Sequence, residues 1–302
     1  MMGKETLNRR EILKSTGLMG AGLLLGGGSL VACSPGMGQS PNQDVDILNF
    51  ALNLEYLEAA FYLAAVGRIS EIQNLGGNAP IRLPQGFDGT QPVPGLSREV
   101  REFAEELAAD ELAHVRFLRR ALGSMAVDRP EIDLDTAFRE AGRLASGGAI
   151  TDFNPFANEL FFLHGSFIFE DVGVTAYKGA AKLITDKDGV LDPAAGILAV
   201  EAYHSGAIRL FLYQRKDVPV TPTLTVEQVV EAISNLRAQV GGGKEEGITK
   251  EGKANLVLSD TDGVAFGRTV NEVLRIVYLT GNTGVNQGGF FPKGLNGRFR
   301  TT

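Results

Sequence analysis

Two of the three histidines in this chain are used in the same way. In "DELAHV" Glu111 precedes His114 by three residues, and in "EAYHSG" Glu201 precedes His204 by three. Residues three apart on a helix project from nearly one face. Each pair therefore presents a carboxylate and an imidazole to one point. A single pair of this kind is weak, because Glu and His share helix faces by chance. Two pairs that take up two of only three histidines form a chemical pattern. Carboxylate oxygen with one imidazole per ion suits iron(II) or manganese(II). Zinc prefers four ligands and more nitrogen or sulfur.

The pattern works only if helices carry it. Apolar residues recur at spacings of three and four through "DILNFALNLEYLEAAFYLAAV", which predicts a first helix capped by Asp44 or Asp46. A Gly/Pro-rich loop spans 67–95, and a second helix runs from Ser97 to about Leu122. An irregular crossover follows, with a short helix near 135–144. The third long helix is expected to start at Asp152 or Asn154 as cap, with Pro155 in the first turn, and to reach about Leu183. The fourth is expected to use Asp192 as cap and Pro193 in its first turn, ending near Arg215. This order predicts an all-α four-helix bundle over residues 44–216, with its long connection between the second and third helices. Residues 217–302 form a C-terminal extension: a fifth helix with Thr225 and Gln228 at capping-box spacing, a glycine loop, extended chain, a last helix around "NEVLRIVY" and an ordered aromatic tail. The "GGGK" at Gly241 lacks the strand and spacing of a phosphate loop.

The first and third helices offer Glu55, Glu58 and Glu170 as further carboxylates. Tyr62 lies seven residues after Glu55, and Tyr177 seven after Glu170. The two halves thus repeat one order: Glu, then Tyr two turns on, then Glu-x-x-His on the next helix. Glu58 has no such counterpart and stands as an extra or shifting ligand. Phe103, Leu107, Leu118, Phe169, Val200 and Leu210 beside these positions predict a buried face. Four carboxylates in such a place cannot remain charged and bare, since each unpaired buried ion costs several kcal/mol; two divalent cations balance them. Tyr62 and Tyr177 serve either as core aromatics or as hydrogen-bond partners of a ligand carboxylate. His164 lies roughly 120° around the helix from Glu170 and reads as structural. The phenylalanines between 153 and 169 read as core packing.

The four-helix order with its Glu and Glu-x-x-His residues resembles the ferritin-like superfamily of di-metal carboxylate proteins. Within it, "DILNFALNLEYLEAAFY", the two Glu-x-x-His helices and "GGFFPKGLNG" resemble the bacterial and plant desiccation-related ferritin-like proteins. The resemblance implies a ligand set of Glu55, Glu111, His114, Glu170, Glu201 and His204 around two iron or manganese ions, with Tyr62, Tyr177 and Glu58 beside them. It implies iron oxidation, activation of O2 or H2O2, or manganese-catalase-like disproportionation. The alternative is a non-enzymatic metal-binding protein that protects the cell envelope under stress. An iron-storage shell fits less well, because a lipid anchor, a long first loop and the C-terminal extension would obstruct closure.

The chain of 302 residues has a net charge of −7 and a pI near 5.2, which argues against a nucleic-acid partner. Its N-terminus carries twin arginines, Arg9 and Arg10, then a glycine-rich apolar stretch ending in "LVAC". This resembles a twin-arginine export signal with a lipobox over residues 1–33, followed by a tether at 34–43. The expectation is export and anchoring in the envelope through a lipid on Cys33; the plainer reading is a signal peptide with an incidental cysteine. Cys33 is the single cysteine, so the processed chain has no disulfide. Oligomeric state leaves no mark in the sequence.

Overall fold

The computed structural model describes residues 43–302; the signal, lipobox and tether expectations lie outside the described residues, apart from Gln43, which opens the first helix. The periodic apolar segments become four long helices: α1 (Gln43–Ala65), α3 (Arg98–Leu122), α5 (Glu159–Ala181) and α6 (Asp192–Gln214). Helix α1 packs along α3 and α5 along α6, and the two pairs meet through α1–α5 and α3–α6 contacts. The amphipathic α3 buries Val100, Ala104, Leu107, Glu111, Val115 and Leu118 and turns Arg98, Arg101, Arg116 and Arg120 outward, while Arg119 reaches in to donate to the Tyr56 hydroxyl at 2.6 Å. Helix α1 is buried from Ile47 to Ala65, and α5 from Phe162 to Tyr177, because other parts of the chain cover their outer faces. Among the described residues no helix is long and apolar enough to cross a membrane.

Several helix starts differ from expectation. Asp44 and Asp46 lie inside the first turn of α1 and cap other things. The Asp44 carboxylate accepts from the backbone N–H groups of Thr185 (2.9 Å) and Asp186 (2.8 Å), which ties the start of α1 to the connection between α5 and α6. Asp46 pairs with Arg298 at 3.0 Å. Helix α5 begins at Glu159 rather than near Asp152 or Asn154, because Asn158 accepts from Phe161 N at 2.9 Å; Asn154 instead holds a separate turn through Phe156 N. Asp192 makes no cap hydrogen bond, since the chain enters α6 already wound through a π turn at Lys187–Leu191. Pro193 does sit in the first turn. Of the six apolar neighbours, Leu107, Leu118 and Phe169 are buried, Phe103 and Val200 half-buried, and Leu210 is 41% exposed on the outer face of α6.

The loop after α1 contains a one-turn helix α2 (Ser70–Gln73) and a strand β1 (Ile81–Arg82), which pairs in parallel with β2 (Ile132–Asp133) of the crossover. Asp133 accepts from the N–H groups of Asp135 (2.9 Å) and Thr136 (2.7 Å), which starts the crossover helix α4 (Thr136–Ala145). The C-terminal extension supplies α7 (Val226–Gly241), with both halves of its capping box formed, a small hairpin of β3 (Thr249–Lys250) and β4 (Lys253–Ala254), and α8 (Val270–Val277). The tail packs onto the bundle. Phe290 is fully buried, with ring centroids 5.0 Å from Phe138 and 4.9 Å from Phe169. Asn53 and Asn296 exchange hydrogen bonds of 2.9 and 3.0 Å.

A buried ion network joins extension to bundle. Asp171 on α5 accepts from Arg209 on α6 (2.9 Å), Arg237 on α7 (2.9 Å) and Ser205 (2.5 Å). Arg237 also donates to Glu245 at 2.9 Å and to the Phe167 carbonyl at 2.5 Å, while Arg268 pairs with Glu245 and donates to Thr175 at 2.7 Å. Removing one member of such a network leaves an uncompensated buried charge. Arg237→Ala should therefore lower unfolding stability by about 3–5 kcal/mol in urea titrations, whereas Lys216→Ala, at an exposed pair with Asp217, should leave the midpoint nearly unchanged.

Candidate metal centre

Glu55, Glu111, His114, Glu170, Glu201 and His204 converge in the middle of the bundle, one or two from each long helix, and all are buried. Their ligand atoms fall into two groups, each able to hold a metal ion: Glu55, Glu111, His114 and Glu201 in one, and Glu111, Glu170 and His204 in the other. Glu111 belongs to both. His114 Nδ1 lies 3.1 Å from Glu55, 3.5 Å from Glu111 and 3.8 Å from Glu201. His204 Nδ1 lies 3.2 Å from Glu111 and 3.3 Å from Glu170. The Glu201–His204 pair does not act as one unit. Glu201 reaches across to the His114 group, while His204 is served by Glu111 and Glu170.

The charge state follows from burial and proximity. Burial raises Glu55 to about 7, partly offset by the His114 charge. Burial also raises Glu170 against His204, and it pushes Glu201 and Glu58 well up with the help of the neighbouring carboxylates, Glu111 first. Glu111 is the exception: burial would raise it, but the two imidazoles hold it well below the usual carboxylate range. Burial would lower both of these histidines, yet the glutamates around them raise His114 to about 11 and His204 to about 12. Without metal, then, protons and imidazolium charges share the work of neutralising the carboxylates.

The donor atoms of these residues fit a metal ion. Both oxygens of Glu111, Glu170 and Glu201, and Nδ1 of His204, are buried without a hydrogen-bond partner. Buried polar atoms are normally satisfied. Seven unsatisfied donor-set atoms aimed at one place are what ligands look like before coordination.

The surrounding residues divide by role. Tyr177 donates from its hydroxyl to Glu55, and burial followed by the Glu55 charge holds its pKa well up. The Tyr62 hydroxyl is buried beside Glu170, and burial followed by the Glu170 charge holds its pKa well up, but it makes no contact as close as that of Tyr177 with Glu55. Glu58 is 4% exposed and belongs to neither ligand group. His164 is fully buried elsewhere on α5, with Nδ1 2.6 Å from the Leu160 carbonyl, and burial lowers it to about 4. Asp110 escaped the sequence reading. Its carboxylate lies 3.2 Å from His204 Nε2, so it can accept from that nitrogen and leave Nδ1 facing the ligand group. Its side chain is 43% exposed, which makes it the rim of the site. The only signal was its place beside Glu111, and nothing in the spacing pairs it with a histidine on another helix.

The pKa directions fix a pH dependence for metal-free protein. Glu55 binds its proton more tightly folded than unfolded, so its contribution is present below 4.5 and lost as pH rises towards about 7. The His114 contribution is present below 6.5 and lost towards about 11. Glu111 acts oppositely, and its contribution fades only as pH falls below 4.5. Thermal melts without metal should therefore show Tm falling steadily from about pH 5 to 8. A divalent cation should reverse the trend, because its binding displaces those protons.

Comparison with known proteins agrees with this geometry. Residues 43–214 match the family model described as a ferritin-like domain. The chain is 30% identical over 273 residues to the "Ferritin-like catalase Nec2" of Nesocodon mauritianus, covering 84% of each chain. It is 34% identical over 253 residues to the "Desiccation-related protein PCC13-62" of Craterostigma plantagineum, covering 78% of this chain and 77% of that one. No solved structure matches. With the family model spanning the whole bundle and both relatives aligning over most of their length, the chain belongs to the ferritin-like family, among its desiccation-related members.

Proposed function

We propose that the protein is an exported dinuclear iron or manganese protein that reacts with dioxygen or hydrogen peroxide in oxidative or desiccation stress. One observation carries the reading: two potential ligand groups that share Glu111, with their buried oxygens unpartnered. Glu55, Glu201 and His114 would hold one ion, Glu170 and His204 the other, and Glu111 both. Such a pair, when bound, would supply two-electron exchange with O2 or H2O2. The chain's own residues do the rest. Tyr177 orients Glu55 by its hydrogen bond, Asp110 orients His204, and the phenylalanines beside Tyr62 keep water from that wall of the site. The similarity to a protein named a catalase supports peroxide as a substrate. The similarity to a desiccation-related protein supports a second reading, a non-enzymatic stress-protection protein that holds metal without turning it over. Export by the twin-arginine route and anchoring through Cys33 belong to the same proposal and rest on "RR" and "LVAC".

Elemental analysis of purified variants tests the site. Wild type should bind two metals per chain; His114→Ala and His204→Ala should each lose one; His164→Ala should keep both. Asp110→Asn should weaken one metal by about 10–100-fold and leave the other unchanged. Retention of two metals by His204→Ala would sink the ligand assignment. Optical monitoring of the loaded protein on adding O2 or H2O2 separates the readings: a centre that never changes with iron, and never consumes peroxide with manganese, belongs to the protective protein. Cys33→Ser should release the protein from the membrane fraction or leave it unprocessed, while a wild type that is soluble and begins well away from Cys33 would end the lipoprotein proposal.

A further inference from the structure

Three mostly apolar cavities adjoin one another between the C-terminal extension and the bundle. The first is lined by Gly142, Ile150, Phe153 and Leu224, and the second by Leu236, Val240 and Leu279. They share Ala141, Ala145, Ile168 and Ile233 as a common wall. The third is lined by Leu57, Glu58, Val172, Gly173 and Phe290, and it shares Ile168 and Ile276 with the second. Ile168 therefore borders all three. The outer end is at the half-buried Ala145, Ser146 and Leu224, on the surface side of α4 and α7. The inner end is walled by Glu58 and by Gly173, where an added Cβ would collide with Glu201 Oε2, so the third cavity abuts the carboxylate cluster.

The lining decides what can travel there. A buried water needs two to four polar partners, and cavities walled by Leu, Ile and Phe stay dry while taking up small apolar guests such as xenon. Most polar groups along the three cavities are engaged; the exceptions are Arg237 Nε at the second cavity and Glu58, a member of the buried glutamate cluster, in the wall of the third. Ser146 Oγ donates to the Gly142 carbonyl (2.7 Å) and accepts from Ile150 N (2.8 Å), and the terminal nitrogens of Arg237 bind Phe167 O, Asp171 and Glu245. Hydrogen peroxide, which hydrogen-bonds as water does, has a better approach on the opposite side, where half-exposed Asp110 meets His204. We infer that the three cavities around Ile168 form a dry passage for dioxygen between the protein surface and the Glu201 side of the metal centre. This rests on the dinuclear reading above and narrows it. The bundle has a polar door and an apolar one, and dioxygen uses the apolar one, whether it is consumed as oxidant or released when two H2O2 become two H2O and one O2.

Crystals of the full chain as isolated, pressurised with xenon and separately with dioxygen, test the passage. Wild type should take up gas atoms in all three cavities, the innermost against Val172 and Gly173. Ile168→Phe places a larger side chain at the common wall. It should keep gas beside Ile150 and lose it beside Val172 after brief exposure. Should that variant not fold, Ala145→Leu at the half-buried rim should delay filling of the inner cavity. An inner cavity that stays free of gas in wild type, or that holds ordered water, overturns the passage. So does an Ile168→Phe protein that fills beside Val172 as fast as wild type. Metal content and redox response are measured independently: their failure would remove the dinuclear reading without changing the gas positions.

Discussion

The structure is organised around the burial of carboxylates in a helical core. Five glutamates, Glu55, Glu58, Glu111, Glu170 and Glu201, are at most 4% exposed, and all lie on helices that otherwise bury apolar faces. Ionised and unpaired, they would cost more than a bundle of this size can supply, since folded domains are stable by only about 5–15 kcal/mol. The fold therefore needs positive charge at its centre. Two imidazoles supply part of it, protons another part, and the unpartnered oxygens point to metal as the remainder. The positions of α1, α3, α5 and α6 relative to one another are set by this requirement as much as by apolar packing.

Glu111 is where the two halves of the site meet. It is the one carboxylate within reach of both histidines and the one held ionised, because two imidazoles outweigh its burial. The sequence repeat of Glu, Tyr and Glu-x-x-His suggests equal halves, but the surroundings are unequal. Tyr177 hydrogen-bonds Glu55 closely while Tyr62 stands less tightly beside Glu170, and Asp110 attends His204 alone among the two cluster histidines. Two metal positions so differently supported would differ in affinity and in access from solvent.

The C-terminal extension is part of the bundle's engineering. Its arginines Arg237 and Arg268 enter a network with Asp171 and Glu245, and Asp171 follows Glu170 directly in the chain. Ser205, which follows His204, donates to the same Asp171. The network thus fixes the rotation of α5 and α6 from behind, on the side away from the ligands. The tail adds Phe290 against Phe138 and Phe169, which closes the outer face of α1 and α5 and leaves the narrow apolar cavities along Ile168.

The sequence by itself determined the helices, their order and the residues that meet. Apolar periodicity placed the four long segments, and Glu-x-x-His spacing marked α3 and α6, because both are local properties of a helix surface. Matching Glu–Tyr spacings singled out Glu55 and Glu170 for the same reason. What tertiary structure decided were pairings between elements distant in the chain. Asp44 looked like a cap of its own helix, but a carboxylate can serve any nearby N–H, and it took those of Thr185 and Asp186. Glu201 looked like the partner of His204, yet the crossing of the bundle assigned it to His114. Leu210 looked buried, but among the described residues it stays 41% exposed on the outer side of α6. Asp110 was invisible as a partner of His204 because the two are 94 residues apart. Local spacing is written in the sequence; which faces meet depends on how helices cross, and that is settled only when the whole core packs.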